Sequence, residues 1–175
     1  SPHASSGGAG TVVWDDLHAD GSLRERRLHV AHDGATAVRE TDAGMSVATL
    51  TSTVTEIVVG RARLVVGGLG PSTRVGVHAS SFLRVVGGGD ESGLVTVSLL
   101  NGTMGGSIRF EGPSAARLVA EDGVAALRLL SGSTVWGVMG VWVSGVAGVG
   151  GTSVHIESDA EVDARNVTVS GWRVE

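Results

Sequence analysis

Cysteine, lysine, glutamine and tyrosine are all missing from this chain. Without cysteine there is no disulfide framework and no thiolate metal site. Without lysine, all 13 basic residues are arginine, which reads as GC-rich coding more than as function. Aromatic residues are scarce at 3%, the formal net charge is −5, and no basic block extends beyond Arg24–Arg27. A nucleic-acid surface needs a basic footprint with stacking partners, so that class is set aside. No apolar run reaches membrane-spanning length; the most apolar stretch, Val135–Val149, is short and broken by glycine. A charged leader followed by an apolar region is also missing, so any signal peptide is expected to be absent or removed.

What is present is a globular composition: 175 residues, 42% apolar and 18% charged. That length suits one domain with a real core. The 28 glycines, with abundant valine, serine and threonine, favour strands. β-Branched side chains fit a pleated surface and glycine punctuates it. The fold class expected is therefore all-β.

Three regions follow along the chain. Residues 1–10 read as a flexible lead-in. Residues 11–44 hold much of the charge and read as a capping segment or hairpin. In it, Arg27–Val30 and Thr36–Glu40 flank the tight-turn signal His32-Asp33-Gly34. A short helix over Ser22–Val30 is the alternative there. From Met45 to Glu175 a loose repeat sets in. Strand-like units begin at Thr53, Thr73, Leu94, Ala115, Thr134 and Ser153, roughly every 20 residues. Most carry a second strand-like piece, such as Ala62–Val66, Phe82–Val86 and Ser107–Phe110, before a glycine or Pro-Ser break. This recurrence predicts a single-stranded parallel β-solenoid of about six coils. One coil cannot bury its own apolar face, so inward valine, leucine and isoleucine must stack between neighbours. An antiparallel sandwich or barrel is the alternative, with Ile57–Val66 as a hairpin turning near Gly60.

The closing stretch, Val162-Asp-Ala-Arg-Asn-Val-Thr-Val-Ser-Gly-Trp, resembles a coil of right-handed parallel β-helix proteins of the pectin-lyase-like group. In that group a polar Asn often precedes a short V-x-V strand and a glycine corner. The resemblance implies a β-helix fold. It does not choose among the group's lyases, hydrolases, tail spikes and non-catalytic adhesins. The group's enzymes have more coils and clustered carboxylates, and many members stack asparagines. Here the only asparagines are Asn101 and Asn166.

Several residues could carry chemistry. Asp159, Glu161, Asp163 and Arg165 alternate, which puts them on one face of a strand. They could bind calcium or a sugar, with Trp172 as an aromatic platform, or simply guard a sheet edge against pairing. His29, His32 and Asp33 are candidate zinc ligands, although residues three apart on a strand face opposite ways. His78 and His155 read as core or surface histidines. Asn101-Gly-Thr and Asn166-Val-Thr are glycosylation sequons. Val135, Trp136, Val138, Val141, Trp142 and Val143 form an apolar strip read as a subunit interface. No G-x-S-x-G elbow and no phosphate or dinucleotide loop appears, so no catalytic residue and no cofactor is expected.

The function expected is a non-catalytic structural or interaction module of a surface, virion or extracellular assembly, acting by self-association or on a protein partner. A carbohydrate-binding or carbohydrate-active β-helix is the second expectation. An envelope sensory domain is the third.

Overall fold

The computed structural model describes residues 10–31, 40–42, 54–70, 73–88, 90–121, 124, 126–144, 153–156 and 159–170. Every regular element among them is a strand, and most strands alternate buried and outward residues as their sequences do. β1 (Gly10–Leu17) and β2 (Leu23–Ala31) form an antiparallel ribbon. Its turn is fixed by Gly21, at φ 82°, and by Asp20, whose carboxylate accepts from the Ser22 amide at 2.9 Å. Then come β3 (Glu40–Asp42), β4 (Val54–Gly60), β5 (Arg63–Val66), β6 (Arg74–Val77) and β7 (Phe82–Val86). β8 (Leu94–Met104), β9 (Ser107–Glu111), β10 (Ala115–Ala120) and β11 (Ala126–Leu129) follow. The last are β12 (Thr134–Trp136), β13 (Gly140–Ser144), β14 (Ser153–Ile156), β15 (Glu161–Asp163) and β16 (Asn166–Ser170).

Two sheets result. Sheet A runs β1-β2-β4-β6-β8-β10-β13-β16, with β11 and β14 on a branch beside β8. Sheet B runs β15-β12-β9-β7-β5-β3. Every pairing except β1 with β2 is parallel. The chain alternates between the sheets as it climbs, which is a parallel β-solenoid.

Between β4 and β13 it makes about four turns, fewer than the six that the recurrence predicts. The physical reason lies in the coil length. Sheet A strands begin at Val54, Arg74, Leu94, Ala115, Gly140 and Asn166, so the spacing is 20, 20, 21, 25 and then 26 residues. The later coils add a third strand, β11 or β14, and a fixed 20-residue period slips out of phase with them. β2 and β3 extend the stack at one end, and β15 and β16 at the other.

Three local expectations are corrected. The Ser22–Val30 helix does not form: Leu23–Ala31 is strand, because its backbone groups pair with β1 on one side and β4 on the other. Arg27–Val30 finds its hairpin partner upstream in β1, while Glu40–Asp42 joins β5 in the other sheet. His32, Asp33 and Gly34 lie outside the described residues. The Ile57–Val66 hairpin does not form: β4 and β5 separate at Arg61, which takes φ 49°, and enter different sheets.

The core consists of columns of inward side chains, one per coil. In sheet A, Leu28, Ile57, Val75, Leu99 and Ala120 lie in register and are buried. In sheet B, Leu64, Leu83, Ile108 and Val135 do the same, beside Val66, Val85 and Phe110. Each large member contributes about 1.5–3 kcal/mol through burial, and only because a neighbouring coil covers it.

Candidate functional site

Outward residues also form columns, and among the described residues the densest polar cluster lies on the outer face of sheet A near the ribbon. Register sets Trp14 beside Arg27, Arg27 beside Glu56, and Glu56 beside Arg74. Arg74 is the hub. Its guanidinium contacts Glu25 at 2.6 Å, Glu56 at 3.0 Å and Glu121 at 3.8 Å. Glu56 is only 9% exposed, and its second oxygen meets His29 Nε2 at 2.9 Å. His29 in turn packs against the Trp14 ring, centroids 4.6 Å apart and nearly perpendicular.

Two carboxyls of this region, Glu25 and Asp15, are held in their charged form. A hydrogen bond from Arg27 is the main cause that lowers the Glu25 carboxyl below its ordinary value, against the opposing effect of burial. Asp15 is lowered by its two bonds from Arg26, both at 2.6 Å. In front lies an open cleft of about 390 Å³, lined by Trp14, Asp15, Asp16, Arg27 and His29. A second hollow of about 270 Å³ sits at a corner beside His78, Leu100 and Asn101.

The outer face of sheet B carries a different strip. Arg63 lies 4.7 Å over the Phe82 ring, and Phe82 stands 5.6 Å from Trp136. The small Ser107, on the strand between them, leaves room for that contact. Arg84 and Arg109 share Glu111, at 2.7 and 3.2 Å.

The residues singled out in the sequence fall as follows. Asp159, Glu161, Asp163 and Arg165 do share an exposed face, while Ala160, Val162 and Ala164 pack against the core. They lie on and beside β15, the last described strand of sheet B. Trp172 is outside the described residues. His29 is engaged with Glu56, while His32 and Asp33 are outside. Among the described residues no group of three or more His, Asp or Glu side chains is placed to hold a metal ion. Asn101 is exposed at a corner with φ 53°, and Asn166 is exposed at the start of β16. His78 and His155 are exposed.

The apolar strip is corrected. Val135, Val138, Val141 and Val143 point inward and are buried, so a partner cannot reach them. Trp136 is partly buried against Phe82, and only Trp142, at 39%, and Met139 offer exposed apolar surface there. Sequence reading passed over Trp14, Glu56 and Arg74. The signal was available for two of them: aligning Glu56-Ile-Val-Val with Arg74-Val-Gly-Val by coil sets the acid on the base.

Comparison with known protein families, with curated proteins and with solved structures finds no match to this chain. Among the described residues no helix is long and apolar enough to cross a membrane.

Proposed function

We propose that this chain is a non-catalytic structural or interaction module of a surface, virion or extracellular assembly, acting through the two ends of its solenoid. The observation that carries the reading is how the core columns end. Beyond buried Leu28 stands Val13, 42% exposed; beyond buried Leu129 stands Ile156, 39%; and beyond buried Val141 stands Val167, 44%. The sides of the ladder are different, with arginines and carboxylates paired among themselves. Apolar surface concentrated at the ends favours joining in line with other protein.

A second observation argues for a structural use of the acids. Asp15, Asp20, Glu25, Asp90 and Glu111 are all lowered by hydrogen bonds or ion pairs. A general acid needs the opposite shift. The exposed sequon residues Asn101 and Asn166 support a secreted or displayed location. The Asn166–Ser170 strand supports placing the chain in the pectin-lyase-like group.

The test is solution mass by light scattering over a range of concentrations. Three chains are compared: wild type, Val13→Asp with Leu17→Asp, and Ile156→Asp with Val167→Asp. The reading expects a discrete oligomer that at least one end pair reduces to monomer without loss of the fold. An oligomer indifferent to both pairs would sink it.

The cleft beside Trp14 favours a carbohydrate-binding reading as the alternative. It combines an aromatic ring that is 49% exposed with donors and acceptors of both signs. Titration with neutral hexasaccharides, wild type against Trp14→Ala, decides it; equal or absent binding removes it.

A further inference from the structure

We infer that the cleft on the outer face of the ribbon takes an arginine side chain from a partner protein, whose extended segment adds to the open edge of β1. The inference rests on the end-face reading above, since β1 is the first strand of sheet A, and it names the partner's chemistry at that end.

Most of the charged groups that line the cleft are already matched. Arg26 holds Asp15 through two bonds at 2.6 Å, Arg27 bonds Glu25 at 2.9 Å, and His29 meets Glu56 at 2.9 Å. Asp16 differs. Arg24 reaches it only at 3.7 Å, with the two side chains 65% and 49% exposed, and a pair of that kind is weak in water. The cluster behind the cleft does not make up the difference. There Asp16, Glu25, Glu56 and Glu121 stand against Arg24, Arg27 and Arg74, so one carboxylate is left over while His29 is uncharged. A cation complements this surface and an anion does not.

The Trp14 ring selects the kind of cation. Trp14 and Asp16 are two residues apart on β1, so both point to the outer face, about 7 Å from each other. His29 packs against the ring at 77°, and Trp14 still keeps 49% of its surface exposed. A planar guanidinium can lie on the ring while its fork reaches the carboxylate. A compact, strongly hydrated ammonium suits the second contact better than the first. Among the described residues β1 pairs only with β2, so its other edge presents backbone donors and acceptors to an added strand. Side chains of such a strand alternate between faces. With its arginine on the outer face, the flanking residues fall on the other face, where Val13, 42% exposed, offers apolar contact. The partner segment therefore carries arginine between apolar residues.

The test is an NMR titration of the isotope-labelled chain at about pH 8, above the range of an ordinary imidazole. The probe is a pentapeptide blocked at both ends, serine–leucine–arginine–leucine–serine, and its control carries citrulline, the neutral isostere of arginine. Binding is followed at the Trp14 indole and at the Asp16 and Leu17 amides. The arginine peptide saturates these shifts in the millimolar range, and the citrulline peptide binds at least about fivefold more weakly. Trp14→Ala costs about fivefold and Asp16→Asn about threefold, read at the backbone amides. Both side chains are about half exposed, so neither variant threatens the core.

Equal binding of the two peptides would overturn the proposal, as would no shift with either at about 10 mM. Tetramethylammonium binding as tightly as the arginine peptide would assign the cleft to a free small cation and overturn the partner segment. Shifts moved by a neutral hexasaccharide, and by neither peptide, would leave the cleft to the carbohydrate reading. None of these outcomes touches the oligomer measured by light scattering, so failure of this site and failure of the end-face reading are told apart.

Discussion

Val167 lies in register with Val141 on the preceding coil, yet Val141 is 1% exposed and Val167 is 44%. The same residue type on adjacent rungs thus has two different jobs. Val141→Ala removes packing on both sides and should cost about 2 kcal/mol or more, from lost burial plus the cavity left behind. Val167→Ala should cost the monomer less than about 1 kcal/mol. Urea unfolding of the two variants at a protein concentration below self-association separates them. Equal losses would mean that Val167 is already covered within one chain.

Corners should be unequal in a similar way. Gly102 and Gly132 both take positive φ, 65° and 77°. A Cβ on Gly102 would lie 2.2 Å from the Ala126 carbonyl oxygen, backbone that cannot step aside, whereas Gly132 has open space around it. Gly132→Ala should cost about 1 kcal/mol, for the left-handed conformation alone. Gly102→Ala should cost about 3 kcal/mol or more, or prevent folding, since the adjoining coil must move. Thermal melts of the two variants give the comparison, and similar midpoints would count against the corner as drawn.

Acid should weaken the fold, and the sign follows from the direction of the shifts. Glu111 is lowered chiefly by its hydrogen bond from Arg84, Asp15 by that from Arg26, and Glu25 by that from Arg27. A carboxyl whose folded value is depressed adds stability that is present above its unfolded value. That stability is lost as pH falls through the folded value. The melting temperature should therefore hold through neutrality and fall below about pH 4.5, where ordinary carboxyls begin to protonate. Arg84→Met should lower the neutral plateau slightly and leave the acid end almost in place, so that part of the acid limb flattens. A melting temperature indifferent to pH between 7 and 3 would show that these pairs contribute nothing.

Much of the architecture was legible because the solenoid is written in local alternation. Phe82–Val86 reads as a strand from its sequence and is one. Glycine marks many of the corners. The coil count was not legible, because β11 and β14 lengthen the later coils and the period drifts. Nor was the role of Val135–Val143. An apolar run looks alike whether it faces a core or a partner, and only register with Ile108 and Leu118 puts Val135 and Val143 inside. The polar cluster was hidden for a related reason. Glu25, Glu56, Arg74 and Glu121 are spread over nearly a hundred positions and meet only when coils stack.

That stacking gives the last prediction. Arg74 joins Glu25 on β2, Glu56 on β4 and Glu121 just beyond β10, so one guanidinium ties the ribbon to three coils. Removing it by Arg74→Met leaves Glu56, nearly buried, with the His29 contact and the more distant charge of Arg27. Breaking one partner out of a buried charged pair is costly because the other charge stays behind, although the exposure of Arg74 moderates the loss. The expected cost is about 1–3 kcal/mol. Glu56→Gln alone should cost less, since an amide can still bond to both neighbours. The double variant should then be more stable than the sum of the two losses implies, because with Glu56 neutral the most buried of the three charges that Arg74 leaves behind is gone. Chemical denaturation of the four chains in a double-mutant cycle measures this directly. Strict additivity would mean that Arg74 acts through Glu25 and Glu121, and that Glu56 is held by His29 instead.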